Sequence, residues 1–240
     1  MRSSCRPVRE LPRPARVTIL GLGLLAALVA VEGPLDRAAE TSEAWHMGQH
    51  VLLLSVAAPL LVLGAPRHVM SAIAPDAWRH RVRRLWARAG ASAASAWLVA
   101  LGIVAQGAAI AAWHLPSPYQ AAVRNPGVHV LEHLTYLASG ALFWWAMIRV
   151  SRVRLGAGVL ALFVAALPAT ALGLLMTLAR TPWYPVYGTG SAALVDQQVA
   201  GVVMWAIGNT VYAIGAVALF AAWLASLERA TPARPLNARS

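Results

Sequence analysis

The sequence predicts an all-α polytopic membrane protein, a bundle of six transmembrane helices with both termini cytoplasmic. Three observations predict it. Apolar residues make up 59% of the chain and charged residues only 12%, a balance foreign to soluble domains. The apolar residues fall into stretches of membrane length that are almost free of charge. The arginines, which supply all 20 basic residues, are concentrated in alternate connecting segments.

The basic tail 1–16 carries Arg2, Arg6, Arg9, Arg13 and Arg16 against Glu10. The first apolar stretch, 17–31, is short for a span. It reads as a retained helix, although a basic region before a short apolar run also fits a signal peptide. Either way the next segment lies on the same side of the membrane. An acidic connector, 32–43, leads to the second span, 44–64, with Pro59 near its end. A basic loop, 65–91, follows, and 76–88 within it reads as an interfacial helix anchored by Trp78 and Trp86.

The third span, 92–113, is stopped by Pro116 and Pro118, and a short loop leads on to Asn125. The fourth covers 128–150. The fifth, 155–178, holds Pro168, expected to kink it. A loop rich in Pro, Gly and Tyr, 180–196, precedes the sixth span, 198–225, and a polar tail, 226–240, ends the chain. With the N-terminus inside, only Arg37, Arg124 and Arg180 lie outside, and the other 17 arginines lie inside. That asymmetry accounts for the net charge of +11 without a nucleic-acid partner. The single cysteine, Cys5, excludes an intrachain disulfide and a cysteine metal site within the membrane.

Topology gives the seven histidines positions. His68 and His80 fall in the basic inner loop, where they read as solvated. His46, His50, His114, His129 and His133 all fall at the outer end of a span. Histidine is costly inside lipid, so such a cluster points to function. Ser42 reads as the N-cap of the second span, and Asn125, followed by Pro126, as the N-cap of the fourth. Both caps place the first histidine of an H-x-x-x-H pair at the fourth helical residue and the second at the eighth. The pairs His46/His50 and His129/His133 therefore lie at matching depths, each on one helix face.

Imidazoles so placed can ligate a metal ion. Met47 is an optional soft ligand, and Glu132 is placed to orient an imidazole as an acceptor behind the ligands. Asp196, Gln197 and Gln198 reach the same layer in that supporting role; Met176, Met204, Tyr184 and Tyr187 also reach it, the methionines as packing residues first and ligands second. Gly201 and Gly208 share a stripe with Gln197 and Met204, which predicts close packing there. All-histidine sites suit Zn, Cu or Fe, and thioether favours Cu(I). Copper, as Cu(I) or Cu(II), is the first choice, with haem the alternative. No nucleophile–base constellation, P-loop, G-x-G-x-x-G or H-E-x-x-H is present, so no catalytic residue and no enzymatic activity is expected.

These motifs stand in an order that resembles a known family. They are His46-Met-Gly-Gln-His50, then Ala58 to Pro66, then Trp113-His-Leu-Pro-Ser-Pro-Tyr119. Val128-His-Val-Leu-Glu-His133, Phe143-Trp-Trp145 and Asp196-Gln-Gln198 with Gly201 and Met204-Trp205 follow. The chain is similar over about 44–224 to the multi-span CtaG-type assembly proteins of caa3-type cytochrome c oxidase. That family is often drawn with seven spans, so the N-terminal part departs most. The resemblance implies an assembly role for haem-copper oxidase, supplying or inserting copper. Its partners would be oxidase subunits and a copper donor protein, at the extracytoplasmic side of the plasma membrane. It supports the five outer histidines as ligands. The other readings are a metal- or haem-binding electron carrier and a metal-free scaffold.

Overall fold

The structure is a computed structural model and describes residues 12–65, 92–151 and 155–230. All regular structure among the described residues is helical. Cys5, His68, His80, the 76–88 segment and residues 231–240 of the C-terminal tail lie outside them.

Helix α1, Arg13–Val31, begins four residues before the expected span. Pro12 precedes it and Pro14 sits in its first turn, where a missing N–H leaves nothing unsatisfied. Its 19 residues span about 28 Å, enough for a hydrocarbon core. A short helix α2, Pro34–Ala39, occupies the acidic connector. Helix α3, Glu43–Gly64, carries the first histidine pair and contains a π-helical stretch, Leu52–Ala57.

Helix α4, Ser92–Trp113, ends as expected, but the next segment is not a loop. Pro116 stops α4 and starts α5, Pro116–Arg124, because proline suits the first turn of a helix as well as it breaks an interior one. Helix α6, Pro126–Ser151, opens on Asn125, whose Oδ1 accepts from the Gly127 and Val128 amides at 2.9 and 3.2 Å. Helix α7, Leu155–Thr177, stays helical through Pro168. Helix α8, Ser191–Val202, starts seven residues before the expected sixth span, so Asp196 and Gln197 lie within it. A second π stretch, Val203–Ile207, joins it to α9, Thr210–Ala230.

Among the described residues, five stretches are long and apolar enough to cross a membrane: Arg13–Ala39, Glu43–Gly64, Ala96–Trp113, Leu155–Thr177 and Ser191–Glu228. Helix α6 is not among them, although its 26 residues are long enough. Its N-terminal half holds His129, Glu132 and His133, which lower its hydropathy.

The bundle is polar inside and apolar outside. Glu43, His46, Gln49, His50, Glu132 and Gln197 are each no more than 2% exposed, while Phe163, Val217 and Leu178 are 64 to 75% exposed. This distribution suits lipid as the surrounding solvent, because the costly groups are turned inward. Three apolar clusters hold the bundle. Phe143, Trp144, Leu162 and Tyr212 pack one end. Met47, Ile110, Tyr119, Tyr136, Met176 and Met204 surround the histidine layer. Ala30, Leu53 and Ala57 join α1 to α3.

The irregular backbone is satisfied from within, as lipid requires. The Trp144 indole donates to the Leu54 carbonyl at 3.1 Å, and the Ser55 hydroxyl to the Gly208 carbonyl at 2.8 Å. The glycine stripe packs as its sequence suggests. A Cβ on Gly201 would meet the Gly173 carbonyl and the Thr177 hydroxyl at 2.5 Å. Backbone cannot step aside, so Gly201→Ala is expected to cost about 1–3 kcal/mol. Thermal unfolding in detergent checks this, and an unchanged midpoint would refute the close approach.

Candidate metal centre

One end of the bundle gathers five imidazoles and one carboxylate. Ser42 caps α3 from the expected position, its hydroxyl accepting from the Trp45 amide at 3.4 Å. The cap has a second layer that no local pattern reveals. Asp196 on α8 accepts from the Ser42 hydroxyl at 2.8 Å and from the Glu43 amide at 2.6 Å. A carboxylate here also complements the positive end of α3. Asp196 therefore holds the helix that carries His46 and His50 and stands apart from the histidines. Asp196→Ala is expected to lower stability by about 1–2 kcal/mol, the cost of a lost cap. A melt that matches the parent would show the bridge to be idle.

On this frame the two histidine pairs face each other level by level. The His46 ring stacks on His129 with centroids 5.1 Å apart, and His50 meets His133 at 5.7 Å. His46 and His50 are 4.5 Å apart, and His114, just past the end of α4, lies 6.3 Å from His50. His50 is thus the hub, and His129 is the half-buried edge.

Glu132 sits among them, fully buried. Its two oxygens lie 3.4 Å from Nε2 of His46 and Nε2 of His50. These approaches do not have hydrogen-bond geometry, so both oxygens and both Nε2 atoms lack a hydrogen-bond partner. One ligand atom each from His46, His50 and Glu132 fall within 4.8 Å of one another. The sequence places Glu132 behind the ligands, as an acceptor that orients an imidazole. The structure turns it across to α3, where it faces the same point as the imidazoles.

The hydrogen bonds that do form set the tautomers. His114 Nδ1 lies 2.8 Å from the Ile110 carbonyl, which can only accept, so Nδ1 carries the proton. The Tyr187 hydroxyl donates to the Ala39 carbonyl at 3.1 Å and is left to accept from His46 Nδ1 at 3.2 Å. Both rings therefore present Nε2 as a bare lone pair toward the interior. Outward-held Nδ1–H and inward Nε2 is how metal-binding imidazoles are usually oriented. His129 and His133 also present a buried Nε2 with no partner. Several lone pairs and a carboxylate converging without a donor are expensive to bury, and a cation relieves that expense.

Tyrosines close the centre from outside. Tyr119 stacks on Tyr184 at 3.8 Å and lies 5.2 Å from the His46 ring. The Tyr184 hydroxyl donates to the His114 carbonyl at 2.7 Å. Burial raises the Tyr119, Tyr184 and Tyr187 phenols above their ordinary value, which keeps them neutral. Gln197 and Gln198 hold the tyrosine loop from behind. Gln197 accepts from the Trp183 amide at 2.5 Å, and Gln198 donates to the Ala179 carbonyl at 3.0 Å.

All five expected histidines thus share one place with Glu132, while Asp196, Gln197 and Gln198 act on backbone around it. Met47 is buried beside the centre, on the wall of a cavity that continues inward from His50. Tyr119 and Tyr136 escaped the sequence reading. Tyr136, whose ring lies 4.4 Å from His50, had a readable signal, because it follows Glu132 by four residues on one face. Tyr119 closes the motif Trp113-His-Leu-Pro-Ser-Pro-Tyr119, but nothing local gave it a role.

The fold and the site define a class: helical membrane proteins with an enclosed imidazole–carboxylate centre near one end of the bundle. Within it, this chain belongs to the cytochrome c oxidase caa3 assembly factor family, Caa3_CtaG, whose family model matches residues 1–226. No curated protein and no solved structure matches the chain. Its role is therefore in assembling cytochrome c oxidase, and the oxidase is its partner.

Proposed function

We propose that this assembly factor carries copper as cargo. It takes the ion from a donor protein on the extracytoplasmic side and hands it to an oxidase subunit docked beside it in the plasma membrane. The observation that carries this reading is the convergence of His46, His50 and Glu132, three buried ligand residues whose facing atoms have no hydrogen-bond partner. His114, His129 and His133 complete the set as exchangeable neighbours. In this reading the protein has six spans, counting α6, with both termini cytoplasmic, and it transfers an ion without catalysing a reaction.

Imidazole suits copper, zinc and iron alike, and nearby thioether tilts the choice to copper. The ring spacing favours an ion over haem, because facing centroids 5.1 and 5.7 Å apart leave no slot for a macrocycle between the pairs. Metal analysis and a visible spectrum of the purified protein test this. Copper is expected with no Soret band; a Soret band would replace the copper reading with a haem carrier. A reporter fused after residue 120 is expected to read extracytoplasmic, and a cytoplasmic signal would overturn the orientation.

A further inference from the structure

We infer a second, softer copper position beneath the histidines, formed by Met47 and Met204 with His114, and reached through His50. This rests on the copper reading above and extends it. A cavity runs inward from His50 between α3, α4 and the α8–α9 segment. The space open to the centre of a water molecule is about 30 Å³, room for about two waters. Met47, Met204, His50 and His114 line it together.

The other polar groups in its wall are already engaged. Gln106 accepts from the Tyr212 hydroxyl at 3.0 Å. Asn209 donates to Thr170 at 2.8 Å, and Ser55 donates to the Gly208 carbonyl. What remains is the unpartnered Nε2 of His114, the unpartnered ring nitrogens of His50, and two thioethers. Met47 and Met204 are 1% and 4% exposed, so water does not compete for them.

This set is neutral and soft, without a carboxylate. Thioether with imidazole selects Cu(I), whereas zinc and divalent copper favour the Glu132 end. A monovalent ion also brings the smaller charge into a dry interior. Two of its walls are π-helical over part of their contact with the cavity. Leu54 and Ser55 belong to the first π stretch, and Met204 to the second. Such bulges concentrate at functional sites. His50 belongs to both positions, so an ion passes inward by exchanging His46 and Glu132 for His114 and the thioethers. It remains Cu(I) throughout, with no electron transferred.

The test uses the full chain in detergent, loaded anaerobically with one equivalent of Cu(I) and examined by X-ray absorption. Sulfur scatterers beside nitrogen are expected. The Met47→Leu/Met204→Leu variant, which conserves volume, is expected to lose them and to bind Cu(I) about 10–100-fold more weakly, as for loss of a supporting group at a metal site. Met204→Leu alone is expected to keep its Zn(II) affinity, which shows that the fold and the upper centre survive. Cu(I) bound by nitrogen and oxygen alone overturns this inference and leaves the copper reading standing. A wild-type protein that binds neither Cu(I) nor Zn(II) overturns both.

Discussion

The His46→Ala/His50→Ala variant is expected to purify as a helical membrane protein that retains only background copper. In cells lacking the native protein it is expected to leave cytochrome c oxidase unassembled. Loss of a group that merely supports a ligand costs about 10–100-fold in metal affinity. This variant loses the hub ring and its neighbour, which are two of the three residues that converge within 4.8 Å. The effect should be graded. His50→Ala removes a ring that meets His46, His114, His133 and Tyr136, while His129→Ala removes one at the half-buried edge. Copper retained after dialysis, measured per protein, should fall further for His50→Ala. If the double variant is metal-free and still restores oxidase fully, the cargo is not copper and the protein is a scaffold.

The level pairing of His46 with His129 and His50 with His133 was legible because two local signals fixed depth independently. Ser42 and Asn125 both cap as their residue types predict, and each cap sets the height of the histidines four and eight residues on. The arginine asymmetry then put both pairs at one end. Those signals are short-range, which is why they survive in a bare sequence.

The features that were not legible are long-range or geometrically rare. Asp196 caps α3 from 153 residues away, and nothing local ties it to Glu43. The two π stretches leave no compositional mark, since Leu52–Ala57 and Val203–Ile207 read as ordinary apolar helix. Helix α5 was mistaken for loop because proline marks a stop and a start with the same letter. Helical angle gave Glu132 a face on its own helix, but only packing decides which neighbour that face meets.

That packing makes Glu132 the sharpest test of what the centre is for. A carboxylate buried beside two imidazoles has two readings: an ion-pair partner that stabilises the bundle, or a ligand held ready for a cation. The 3.4 Å approaches without hydrogen-bond geometry favour the second. The readings give opposite signs for Glu132→Leu. Removing one partner of a working buried ion pair costs about 3–5 kcal/mol because it strands the other charge, whereas removing a carboxylate that faces neutral imidazoles strands none and relieves the expense of burying it. The metal-free Glu132→Leu protein is therefore expected to unfold at the parent temperature or above it. Metal should then separate the two proteins the other way. Free copper at about a hundred times its Kd stabilises a binding protein by about 2.7 kcal/mol, and Glu132→Leu is expected to show little of that gain. Paired melts with and without copper read both effects in one experiment. A large loss of stability in the metal-free variant, with the copper-dependent gain intact, would make Glu132 a structural anion and leave the histidines alone as the centre.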